Sequence, residues 1–115
     1  MNINNSTPIV KKTLDLYKTY YCILPTFPKK DRYILGTHIE SNILQILDYL
    51  LQASISQKQN KIILLKNTNN KLEMLKIFIR LTQELKLIND RKYLALEKRI
   101  SEIGRMLGGW IKFVK

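Results

Sequence analysis

An all-α, up-down-up-down four-helix bundle is the fold this sequence predicts, and three observations predict it. Apolar residues recur at helical steps along nearly the whole chain. No segment alternates as a strand does, and the joins between periodic segments are short. The 115 residues suffice for a single domain, 1–115, whose core needs no staple. Helices are expected at about 7–24, 28–56, 60–87 and 90–113.

The first helix opens at "STP", with Ser6 or Thr7 as N-cap and Pro8 in the first turn. Its stripe reads Val10, Leu14, Tyr17, Tyr21, Leu24. Pro25 then ends it, because a residue before proline leaves the helical region. Thr26 or Phe27 starts the second helix, whose stripe is Leu35, Ile39, Ile43, Ile46, Leu50 and Ala53. The third helix holds "NTNN", Asn67 to Asn70, where a break is conceivable. Asn89 or Asp90 caps the fourth. There Tyr93, Leu96, Ile100, Ile103, Leu107, Trp110 and Val114 alternate steps of three and four, the seam of nearly parallel helices.

The third helix carries apolar residues on two faces. Ile63, Met74, Ile77, Phe78, Leu81, Leu85 and Ile88 share one; Leu64, Leu65, Leu72, Leu75 and Ile79 fall largely on another. One bundle core buries one face, so a homo-oligomer is expected. Leu72, Leu75 and Ile79 are the candidates here for oligomer or helix packing, with Gly104, Gly108 and Trp110 of the fourth helix. Gly104 and Gly108 share a face and would let another backbone approach, with Trp110 as an anchor. Alternatively, Gly108 and Gly109 cap the helix and "WIKFVK" is a tail.

Net charge is +11, which favours polyanionic partners. Residues 58–87 hold seven bases and two acids, and 88–115 hold seven and three, so this half carries +9 of the total. Arg91, Lys98, Arg105 and Lys112 recur every seven residues and line one ridge opposite the seam. Lys58, Lys66, Lys76 and Arg80 cluster on one side of the third helix. An ordinary solvated face mixes signs, and these do not; they are the candidate nucleic-acid and partner-binding residues.

No catalytic residues, cofactor or metal site are expected. His38 is the only histidine, and neither a P-C-x-x-C nor a Glu-x-x-His pair accompanies it. It is expected at the surface or an interface, and Cys22, the only cysteine, in the core. Phosphate-binding glycine loops are missing too, so the chain is not expected to be an enzyme. "MNINNSTPIV" lacks the pattern of a signal peptide and the longest aliphatic run is "IILL". A cytoplasmic protein without a membrane partner is expected.

"EIGRMLGGWIK" resembles the C-terminal signature of the accessory variability determinant (Avd) family of diversity-generating retroelements. "LPTFPKKDRYILGTHIESNILQILDYLLQAS" resembles that family's first loop and second helix. "KLEMLKIFIRLTQELKLINDRKYLALEKRISEIGRMLGGW" resembles its last two helices. The resemblance implies a homopentameric barrel of four-helix bundles with a basic surface. It also implies a non-catalytic protein that binds the reverse transcriptase and template RNA and supports mutagenic copying. Proteins encoded by intervening sequences in ribosomal RNA genes share the fold, so an rRNA- or ribosome-associated bundle is the alternative. A structural adaptor that binds no nucleic acid is a further one.

Overall fold

Proline has a fixed φ and no N–H to lose, which suits a first helical turn, and Pro8 begins α1, Pro8–Ile23. The structure, a computed structural model, describes residues 8–115; the cap expected at Ser6 or Thr7 lies outside them. The buried face of α1 is Ile9, Val10, Thr13, Leu16, Tyr20 and Ile23. Of the expected stripe only Val10 is buried; Leu14, Tyr17 and Leu24 pack at the core's edge and Tyr21 is exposed. The error has a physical source. Thr13 faces inward, its hydroxyl donating to the Ile9 carbonyl at 2.9 Å, so a polar letter occupies a core position. Cys22 lies off this face and is exposed, contrary to the core position expected of it.

A 3₁₀ turn, Leu24–Thr26, and a helical turn, Lys29–Asp31, bracket the buried Phe27. Pro28, rather than Thr26 or Phe27, occupies the N-cap position of that turn. A π-helical segment, Arg32–Gly36, leads into α2, Thr37–Ile55. Gly36 stands where space is short. A Cβ at this position would run into Leu24 Cδ1 and stand 3.2 Å from the Asp31 carbonyl oxygen and 3.4 Å from Phe27 Cδ2. The Tyr20 hydroxyl donates to the Gly36 carbonyl at 2.8 Å, and its ring meets Phe27 edge-on at 6.2 Å. Burial pushes the Tyr20 hydroxyl well above its ordinary pKa. In α2 the expected stripe holds: Ile39, Ile43, Ile46, Leu50 and Ala53 are buried and Leu35 packs beside them.

α3, Lys58–Glu84, runs unbroken through Asn67–Asn70. Asn67, Asn69 and Asn70 are exposed, while Thr68 turns inward and donates to the Leu64 carbonyl at 2.8 Å. The core seam of α3 is therefore Leu65, Thr68, Leu72, Leu75, Ile79 and Thr82, in steps of three and four. The helix stops at Glu84, short of the expected Leu87. Lys86 adopts φ 61°, Leu87 N–H reaches the Thr82 carbonyl and Lys86 N–H the Gln83 carbonyl, both at 2.9 Å. This is a Schellman closure with lysine where glycine is usual.

α4, Asp90–Val114, is capped by Asn89, whose side chain accepts from Lys92 N–H at 2.8 Å. Leu96, Ile100, Ile103 and Leu107 are buried, and Tyr93, Trp110 and Val114 extend the seam at its margins. The helix continues past Gly108 and Gly109, and no glycine has positive φ, so these residues do not cap it. α1 packs on α2 and α4, and α3 packs on the same two, which gives a square bundle 43 × 24 × 22 Å in extent. No strand occurs among the described residues.

Leu72, Leu75 and Ile79 belong to this bundle's own core, so they serve helix packing. The other α3 face is the open one: Ile63, Met74, Ile77, Leu81 and Leu85 are exposed. Phe78 at its edge meets His38 of α2 edge-on at 4.8 Å, and Ile88 leaves the face, buried beyond the turn.

Candidate nucleic-acid interface

Basic side chains reach the surface from three helices. On α4, Arg91, Lys98, Arg105 and Lys112 are all exposed. Steps of seven residues place them about 10 Å apart along the axis. That is close to the Debye length at physiological salt, so neighbouring charges repel one another little while each remains open to a phosphate. On α3, Lys58, Lys66 and Arg80 are exposed and Lys76 is partly buried. Lys76 is less available than sequence suggests, because its ammonium lies 3.0 Å from Glu73 Oε1. With Arg80 it lines a small groove against Tyr93, Glu97 and Ile100 of α4.

The two sets do not converge on one pocket. A broader cleft, about 340 Å³, opens on the other flank of α4, where it meets α1. Lys12, Asp15, Lys18 and Thr19 line it from α1, and Lys98, Arg99 and Glu102 from α4. Lys12 Nζ lies 3.0 Å from Glu102 Oε1. That hydrogen bond holds the Glu102 carboxyl below the usual carboxylate range, and the charges of Arg105 and Lys98 add to the pull. The α4 ridge and the α1 lysines thus share one field, with Glu102 as its internal counter-ion. A phosphate brought into this cleft would compete with Glu102 for Lys12, with Lys98 lining the same cleft.

Gly104, Gly108 and Trp110 meet different surroundings. A Cβ on Gly104 would make ordinary contact with Leu72 Cδ2 at 3.5 Å, and one on Gly108 or Gly109 would meet nothing within 4 Å. Close backbone packing within the chain explains neither Gly108 nor Gly109. Trp110 is partly buried and lines an apolar cleft of about 220 Å³ with Pro8, Ile9, Met106 and Phe113. Among the described residues no group of three histidine, cysteine or acidic side chains is placed to hold a metal ion. No described helix is long and apolar enough to cross a membrane.

The bAvd-like family model matches the chain over residues 8–114, from the first residue of α1 to the last of α4. The chain belongs to the bAvd-like family. This is the accessory variability determinant family whose signature the sequence resembles. No curated protein matches the chain. In this bAvd-like bundle the candidates missed from sequence are Arg99, beside Lys98 on α4, and Lys12 and Lys18, which become neighbours of the ridge only once α1 is known to pack against α4.

Proposed function

We propose that this bAvd-like chain is a non-catalytic accessory protein of a diversity-generating retroelement, acting in the cytoplasm. In this reading it binds the element's reverse transcriptase and template RNA and brings them together during mutagenic copying. Membership of an accessory family supports the role. The observation that carries the nucleic-acid part is the ridge of four cations, Arg91, Lys98, Arg105 and Lys112, exposed along the whole of α4 and joined by Lys12 and Lys18 across the α1 groove. Such a surface contacts phosphates, releases counterions and reads little sequence. Self-association into the pentamer that the family resemblance implies is part of the proposal. It is supported by the exposed α3 face of Ile63, Met74, Ile77 and Leu81, an apolar stripe that one bundle leaves uncovered. Joining several ridges would raise the avidity for one RNA.

The test is an RNA titration over a range of salt, with mass by light scattering on the same sample. Four phosphate contacts on a single strand give a slope of about −3 in log affinity against log salt, so fourfold more salt weakens binding roughly 50-fold. Changing Arg91, Lys98, Arg105 and Lys112 together to Glu should abolish that dependence along with binding. Unchanged RNA and polymerase binding by this variant would leave a structural adaptor as the better reading.

A further inference from the structure

The nucleic-acid reading leaves the end of α4 unexplained. Phe113 is 88 % exposed, and with Trp110 and Met106 it lines one wall of the apolar cleft completed by Pro8 and Ile9 of α1. This cleft is not isolated from the basic ridge. Arg105 and Lys112 lie four residues before and three after Gly109, while Met106 and Phe113 lie three before and four after. Those are the helix-surface neighbours of position 109. Gly109 therefore separates a pair of cations from an aromatic cleft, and it separates them with bare backbone. Nothing among the described residues asks for glycine there. Its φ is negative, a Cβ would meet nothing within 4 Å, and glycine lowers helix propensity.

We propose that this end of α4 stacks an unpaired nucleobase of single-stranded nucleic acid. Arg105 and Lys112 hold the phosphates on either side of the nucleotide. The gap at Gly109 lets its sugar lie against the helix. The base enters the cleft and stacks on Phe113 and Trp110. The charge beside the cleft favours this occupant over an apolar protein segment, because phosphate and base then each find a matching surface. Stacking platforms at the end of basic tracks are how proteins hold single strands without reading sequence. The inference rests on the nucleic-acid reading above and adds its substrate class: single-stranded regions rather than duplex.

Trp110 is the only tryptophan, so its emission reports on the cleft alone. A short oligoadenylate should quench it strongly, while an abasic strand of equal length and charge binds the ridge and leaves emission unchanged. Phe113→Ala should weaken oligoadenylate binding roughly tenfold, the scale of one lost stacked base, and leave duplex binding and the salt slope alone. Gly109→Leu should block quenching, with Gly109→Ala as the control that the helix tolerates a side chain. Oligoadenylate bound in a salt-dependent way without quenching, and equally well by Phe113→Ala, would overturn the stacking proposal and leave the ridge reading intact. Loss of subunit mass or of polymerase capture in Phe113→Ala, with RNA binding unchanged, would also overturn it by making the cleft a protein contact. No binding of any strand by the unaltered chain would remove the ridge reading itself.

Discussion

Gly36 and the pair Gly108–Gly109 occupy opposite ends of the bundle and are glycines for opposite reasons. At Gly36 the chain has no room: Leu24, Phe27 and the Asp31 carbonyl crowd the place where a side chain would start. At Gly108 and Gly109 a side chain would meet no described residue within 4 Å. One end is closed by packing, with Tyr20 and Phe27 locking the passage from α1 to α2. The other end presents uncovered backbone beside exposed aromatic and basic side chains. A glycine with neighbours maintains the fold; a glycine without them lowers stability to no internal benefit, which points outward to a ligand or partner.

Substitutions can break or sharpen this contrast. The largest effect is expected from Gly36→Ala, which overpacks the passage and should lower stability by about 2–3 kcal/mol in a denaturant melt. A melt equal to that of the unaltered chain would mean that Leu24 yields freely and the crowding is not a constraint. Tyr20→Phe comes next. It removes the Tyr20 hydrogen bond to the Gly36 carbonyl and should cost about 1–1.5 kcal/mol. It also has a pH signature. The folded chain holds the Tyr20 proton more tightly than the unfolded chain does, so that contribution is complete below about pH 10 and lost as pH rises further. Stability of Tyr20→Phe should therefore fall less steeply in that alkaline range. The smallest effect has the opposite sign. Gly108→Ala should stabilise the isolated chain by about 0.5–1 kcal/mol, read as a higher melting temperature. Destabilisation would show that Gly108 is needed inside the fold after all.

The same contrast explains what was legible in the sequence. α2 and α4 could be read because their buried positions are almost all aliphatic, so step and identity agree. α1 and α3 were harder because threonine occupies core positions: Thr13, Thr68 and Thr82 are buried and donate to carbonyls of their own helix. A threonine that satisfies itself in this way behaves as an apolar residue, and periodicity does not show it. Reading around Thr13 shifted the α1 stripe onto Tyr17 and Tyr21. The two-sided character of α3 was legible, and Leu72, Leu75 and Ile79 proved to be its inward side. The α4 ridge could be placed from spacing alone because it lies on one helix. Lys12 and Lys18 could not, since their proximity is a property of the α1–α4 packing.

The exposed cysteine has a use beyond its failure as a core residue. Cys22 lies fourteen residues beyond Pro8 along α1, about 21 Å at helical rise, and Pro8 shares a cleft with Trp110. The chain's single thiol and single indole therefore sit toward opposite ends of one bundle. An acceptor dye on Cys22 makes them a Förster pair without any engineered residue. Transfer between them would gauge whether the bundle keeps its length while cargo loads, separating rigid docking from remodelling.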